Sequence, residues 1–204
     1  MDAFLLEARA RAGSWNEVCD QIAEAFTEIG CRWATKNITI AQEHHASEQV
    51  QRALARILGM MPSWPAPTCL LACVEGDEHV LGLNMAEVCL REAGWAVHWL
   101  GRNTPTLEIV RTLSLEKVDM VALSASITYQ DKSWLNNLVK RVAEVCAPDG
   151  KKLLLGGKGA WPFDLPLHAH LIRSFKELNE TALRILKALR PKTPETSPIS
   201  TPST

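Results

Sequence analysis

"TCLLACVEGDEHVLGLN", residues 68–84, decides how the second half of the chain is read. Thr68–Val74 is a short apolar run bounded by a polar turn, the pattern of a buried strand. From residue 80 to residue 93 the apolar positions recur at helical period. Strand, turn and helix in that order open a unit of an open parallel sheet, and such sheets hold ligands beyond the carboxyl ends of their strands. His79 falls in that turn. Asp77, two residues earlier, is close enough to accept a hydrogen bond from one ring nitrogen, which fixes the tautomer and makes the other nitrogen a better metal donor. Gly82 lets backbone approach a bulky ligand.

Downstream, the alternation continues. "WAVHWL" (95–100) reads as a strand, 105–115 as a helix, "VDMVALS" (118–124) as a strand, 131–146 as a helix and "KKLLLGG" (151–157) as a further strand. Alternating strands and helices with short connections predict a parallel sheet covered on both faces. Pro162 and Pro166 predict a short or broken crossover helix over 157–168, and a last helix is expected around 176–189. The tail after Pro191 lacks apolar residues, so residues 191–204 are expected to be disordered.

Upstream, residues 1–60 read as helices. Ser14-Trp15-Asn16-Glu17 and Thr39-Ile40-Ala41-Gln42 both have capping-box form, and Val18, Ile22, Phe26 and Ile29 share one face between them. Helix, short loop and helix describe an antiparallel bundle. Pro62, Pro65 and Pro67 follow within six residues, spacing that suits a linker. The expected organisation is a helical bundle over 1–61, a proline-rich linker over 62–67, a Rossmann-like (flavodoxin-like) parallel-sheet domain over 68–190 and the tail.

The bulk properties narrow the function. A formal net charge of −1 over 204 residues gives no basic surface for nucleic acid. No apolar stretch is long enough to cross a bilayer, and the first residues lack the basic start of a signal peptide. The six cysteines lack C-x-x-C spacing and lie in apolar stretches, which predicts buried reduced thiols and a cytoplasmic protein.

Spacing then connects the motifs. Between Gly82 and Ser124 lie 41 residues, and between Ser126 and Gly156-Gly157 lie 29. Small residues at these two neighbouring strand ends leave room for a long, flat ligand. The order D-x-H-x-x-G, Ser, Gly-Gly resembles the cobalamin-binding domain shared by methionine synthases, mutases and corrinoid proteins, over about 120 residues. The resemblance implies that His79 is the lower cobalt ligand, in place of the cofactor's own dimethylbenzimidazole, with Asp77 behind it and Glu78 and Val80 completing the motif. It also implies that the displaced nucleotide tail lies in a slot touched by Ser124, Ser126 and Thr128 and left open by Gly156 and Gly157. Ser126 stands where the family usually has Leu.

In the helical half, Trp33 is followed ten residues later by Glu43-His44. This resembles the W-x9-E-H signature of light-sensing cobalamin regulators of the CarH and LitR type, and "GWAVHWLGRNTP" (94–105) resembles the same group. The resemblance implies a bundle that caps the upper face of the corrin, with Trp33, Glu43 and His44 packed over the 5'-deoxyadenosyl group of adenosylcobalamin. A flat apolar cover suits Trp33, and an acceptor for ribose hydroxyls suits Glu43. Ala34 stands where the best-known light sensors have a His that ligates cobalt after photolysis, so His44, His45 or water would take that place. With Met1 read as the start of the bundle, the helix-turn-helix domain of those regulators is expected to be missing and no direct nucleic-acid contact is expected.

Three functions follow as expectations. The first is a stand-alone sensor, not an enzyme, that responds to light through adenosylcobalamin and signals by changing its own oligomer or its contact with a separate transcription regulator. The second is a corrinoid methyl carrier serving methyltransferases. The third keeps the fold and exchanges the corrin for haem or a second chromophore, since an imidazole ligates iron equally well. His168-x-His170 and His98 read as strand residues, and Lys158 and Arg102 as surface charges near strand ends.

Overall fold

The computed structural model describes residues 1–63 and 65–189. The expected tail, 191–204, lies outside them. The helical half holds α1 (Asp2–Ala12), α2 (Trp15–Ala34) and α3 (Ile40–Met60), one helix more than helix-loop-helix. Gly13 divides α1 from α2. It takes the left-handed conformation (φ +86) and its N–H donates to the Arg9 carbonyl at 3.0 Å, a helix end that a residue with a Cβ adopts at a cost. Ser14 caps α2, accepting from Glu17 N–H. At Thr39 the capping box is complete: its N–H donates to Gln42 Oε1 (2.8 Å), and Gln42 N–H donates to Thr39 Oγ1 (3.2 Å).

The sheet half runs β1 (Thr68–Cys73), α4 (Leu81–Glu92), β2 (Ala96–Gly101), α5 (Thr106–Leu115), β3 (Met120–Ser124), α6 (Lys132–Cys146), β4 (Lys152–Gly156), β5 (Ala169–Leu171) and α7 (Phe175–Leu189). The five strands are parallel in the order β2-β1-β3-β4-β5, the flavodoxin-like arrangement. No helix forms between β4 and β5, where Pro162 and Pro166 stand. The chain leaves β1 toward one edge and returns to β3 on the other side. The crevice at which such sheets bind ligands therefore opens between the carboxyl ends of β1 and β3, where His79 and Ser124 sit.

Strand residues alternate between two cores. Leu70, Ala72, Val121, Leu123, Leu153 and Leu155 face α5 and α6, while Cys69, Leu71, Cys73, Met120, Ala122 and Leu154 face α4 and α7. The second core does not stop at those helices. Trp15, Val18, Cys19, Ala53, Leu54 and Ile57 of the bundle belong to it, so the bundle lies as a third layer on that face. Each fully buried Val, Leu or Ile among these contributes about 2 kcal/mol.

Polar ties fix the bundle's register on the sheet half. Arg9 pairs with Glu92 at 2.6 Å, and Trp15 N–H donates to the same carboxylate at 2.7 Å. Arg91 donates to the Leu58 and Met61 carbonyls at the end of α3. Residues 62–67 thus join two parts of one core. Five of the six cysteines are buried, whereas Cys31, near the end of α2, is exposed, a departure from the expectation of buried thiols. From residue 27 to residue 34 of α2 no residue is buried, so Cys31 lies on a stretch that the core does not reach.

Candidate functional site

The turn after β1 is built around one carboxylate. Asp77 has no exposed side-chain surface, while the His79 ring is 64% exposed. Asp77 Oδ1 lies 2.8 Å from His79 Nδ1 and also accepts His79 N–H at 3.0 Å; Oδ2 accepts Ser126 N–H at 2.5 Å. An ionised carboxylate only accepts, so Nδ1 carries the proton and Nε2 keeps its lone pair. The backbone is held as well: Asp77 N–H donates to the Val74 carbonyl at 3.0 Å and Asn103 N–H to the Asp77 carbonyl at 2.8 Å. Asn103 Oδ1 accepts Gly76 N–H at 2.7 Å. Gly76 and Asn103 both have positive φ (+84 and +46), conformations that Gly and Asn adopt most readily.

The other motif residues surround this turn. Glu78 lies 3.9 Å from Arg102 across exposed surface. Val80 is buried at the head of α4. Cys73 Sγ lies 3.5 Å from the His79 carbonyl; burial, with Asp77 nearby, pushes its thiol up to about 12. Ser124 and Gly156 are register partners at the ends of β3 and β4. Ser126 and Thr128 bond each other through their hydroxyls at 2.7 Å.

Beside the turn lies a cavity of about 230 Å³ between α4, α7, α2 and the strand ends. Gly82, Ser124, Gly156 and Gly157 line it, together with Ala23 of α2 and Phe175 of α7. The glycines do different work. A Cβ on Gly157 (φ +84) would stand 2.2 Å from the Ala125 carbonyl oxygen, so that position is closed by the protein itself. A Cβ on Gly82 would meet nothing within 4 Å, and one on Gly156 only the Leu123 carbonyl at 3.9 Å. These two keep open a space that no protein atom uses.

The bundle extends toward the same edge. Cys19 reaches the Met85 carbonyl (3.7 Å), Ala23 lines the cavity opposite Gly82, and Lys158, just beyond β4, donates to Thr27 Oγ1 at 2.9 Å. From Thr27 the helix continues to Ala34 at about 1.5 Å per residue. Trp33 therefore stands roughly 9 Å farther along the axis. Its side chain is 50% exposed. Glu43 and His44 lie in the first turn of α3 at the same tip, 3.5 Å apart. The structure brings Trp33, Glu43 and His44 to one end of the α2–α3 hairpin, without a hydrogen bond or ion pair to His79.

Of the other sequence candidates, His98 sits on edge strand β2 and pairs with Glu116 at 2.8 Å. His168 Nδ1 lies 3.1 Å from Lys152 Nζ, and burial lowers the His170 pKa. Ala23, Phe175 and Arg173 of the cavity wall carry no local motif; they come from distant segments and only their packing reveals them.

His79 presents one exposed imidazole to the space beyond the strand ends, and among the described residues no group of three or more His, Cys, Asp or Glu side chains is placed to hold a metal ion. A single nitrogen donor of that kind is compatible with a metal carried in a macrocycle. The open space at Gly82 and Gly156 suits a flat appended group.

Comparison with known proteins agrees. Residues 67–160 match the B12 binding domain family, and residues 1–58 match a second family of the same description. The HTH-type transcriptional repressor CarH of Myxococcus xanthus is 29% identical over 139 residues, which cover 68% of this chain and 46% of the repressor. The dimethylamine corrinoid protein of Methanosarcina barkeri is 24% identical over 143 residues, 68% of this chain and 67% of that protein. The monomethylamine corrinoid protein of Methanosarcina barkeri shares the fold, with a TM-score of 0.67 at 19% identity over 90% of each chain. The chain spans less than half the length of the repressor it matches. Among the described residues no helix is long and apolar enough to cross a membrane.

Proposed function

We propose that the chain, whose residues 1–58 and 67–160 match B12 binding domain families, is a cobalamin sensor that holds adenosylcobalamin and responds to light. The observation that supports this reading is that Trp33, Glu43 and His44 meet at the tip of the α2–α3 hairpin, whose α2 also lines the cavity at the strand ends through Ala23. The residues that would hold a corrin there are His79, through Nε2, and Trp33 at the hairpin tip.

Bound adenosylcobalamin would supply a cobalt–carbon bond that breaks on absorbing visible light. The residues do the rest. Asp77 holds the His79 tautomer, the cavity at Gly82 and Gly156 would receive the nucleotide tail, and Trp33 with Glu43 would cover and hydrogen-bond the adenosyl group. Loss of that group would take away what Trp33 packs on, so the tip would move relative to the sheet and alter contacts with a second copy or a separate regulator. No catalytic turnover is assigned to the chain.

The test is to load the full chain with adenosylcobalamin in the dark and follow its absorption spectrum and oligomeric state before and after illumination. A change in both is expected; in Trp33→Ala the spectral change, which belongs to the cofactor, should remain while the change in assembly is lost or reduced. Unchanged assembly after illumination, with the spectrum showing that the cofactor has been photolysed, would rule the light-sensing reading out.

The similarity to corrinoid proteins supports a second reading, a methyl carrier for a methyltransferase. It uses His79 and the cavity in the same way but gives Trp33-Glu43-His44 no role. Preference for methylcobalamin over adenosylcobalamin, unchanged in Trp33→Ala, would favour it.

A further inference from the structure

The loop after β2 meets the turn that carries His79. β2 holds one extra residue near its end: Leu71 of β1 is the register partner of Trp99, but Ala72 is the partner of Gly101. An extra residue of this kind bends its strand, and Gly101 is left-handed (φ +90). Two residues on, Asn103 is left-handed as well (φ +46). It makes two bonds to the turn. Its Oδ1 accepts the Gly76 N–H at 2.7 Å, and its own N–H donates to the Asp77 carbonyl at 2.8 Å.

Those two bonds grip the peptide groups on either side of the Gly76–Asp77 link, whose own N–H donates to the Val74 carbonyl at 3.0 Å. Among the described residues Asn103 is the sole acceptor of the Gly76 N–H, and Gly76 has no Cβ to restrain its backbone. The other ties between loop and turn lie to either side: Thr104 N–H donates to the Cys73 carbonyl at 3.2 Å, and Thr106 N–H to Glu75 Oε2 at 3.3 Å. The His79 ring is mostly exposed, so packing does not orient it. Its direction comes from Asp77 Oδ1. The direction of that carboxylate comes from the backbone that Asn103 holds and from the Ser126 N–H.

We propose that Asn103 is a positioning residue for His79, acting through Gly76 and Asp77 to keep the imidazole in the Nδ1–H tautomer with Nε2 free to ligate. The inference rests on the cobalamin reading above for what Nε2 ligates, whereas the state of the ring is a property of the cofactor-free chain. The Asn103 amide serves by accepting one hydrogen bond from within a left-handed residue. An Asp in its place keeps an acceptor and tolerates that conformation. A Gly keeps the conformation and drops the acceptor. Asn103→Ala would mix the two effects, because it also strains a left-handed backbone.

The experiment compares the full chain with Asn103→Gly and Asn103→Asp. In the cofactor-free chains, imidazole nitrogen NMR reads the His79 tautomer at a pH of about 8.5, about two units above an ordinary histidine pKa; His79→Gln identifies the signal. Titration with the cobalt(II) form of cobalamin gives the affinity. Electron paramagnetic resonance of chains with isotope-labelled histidine tells a protein imidazole on cobalt from the cofactor's own base. Wild type is expected to show the Nδ1–H tautomer and a histidine ligand. Asn103→Gly should show mixed tautomers and bind about two- to tenfold more weakly, the range of one lost hydrogen bond, and Asn103→Asp should restore both. An unchanged tautomer or an unchanged affinity in Asn103→Gly overturns the proposal, as do equal losses in the two variants. So does an Asn103→Gly chain that no longer unfolds cooperatively in urea, since Asn103 would then serve the fold as a whole. A wild type that takes up no cobalamin overturns the cobalamin reading itself, while the tautomer in the cofactor-free chains still decides the role of Asn103.

Discussion

Asp77 accepts hydrogen bonds from its own turn through Oδ1 and from the start of the β3–α6 connection through Oδ2. Removing that carboxylate leaves two backbone N–H groups without their acceptor in a part-buried site, each costing about 1–3 kcal/mol. Asp77→Ala is therefore expected to lose about 2–4 kcal/mol of stability, read from urea unfolding without cofactor; a loss under about 0.5 kcal/mol would show that the carboxylate only orients the imidazole. Half of this role was legible in the sequence. The D-x-H spacing placed an acceptor beside His79, but the bond to Ser126 depends on β1 and β3 lying side by side, and 49 positions separate the partners. Ser126 also shows why its departure from the usual Leu is tolerated: its backbone N–H makes the bond to Asp77, while its hydroxyl turns to Thr128.

At the scale of elements, the strands and long helices were legible because their apolar patterns are sustained and their ends are marked by caps. α1 was not distinguished from the rest of the bundle, since Leu5 is its one buried residue and no stripe forms along it. The cavity wall was legible only on the sheet side, at Ser124 and the glycines. Those glycines make opposite predictions. Gly157→Ala forces a Cβ against the Ala125 carbonyl in a left-handed conformation, so the chain is expected to lose at least about 1–2 kcal/mol. Gly82 lies in the first turn of α4 with open space beside it. Gly82→Ala is expected to stabilise the cofactor-free chain by up to about 1 kcal/mol through helix propensity, yet to weaken cobalamin binding. Thermal melts with and without cobalamin separate the two effects. Stability and binding falling together in Gly82→Ala would mean that the open space serves the fold.

For the molecule as a whole, one core runs from the sheet into the bundle, and Trp15, Leu54 and Ile57 are as buried as the strands they pack beside. The tip of the hairpin is different. Between residues 24 and 49 no side chain is buried, although Phe26, Ile29 and Trp33 lie on that stretch. The lower part of the bundle therefore opens only when the core opens, while the tip is held by little beyond its own helical hydrogen bonds. Such a segment is a separate, weakly stable unit of local opening. Followed by amide hydrogen exchange, residues 24–49 are expected to take up deuterium well before the remainder of α2 and α3, and to be slowed selectively when adenosylcobalamin is added. Slowing spread evenly over the chain would mean that the ligand stabilises the core alone. A protein wired in this way would report the state of its ligand as a change in the order of one hairpin, read out over a core that stays shut.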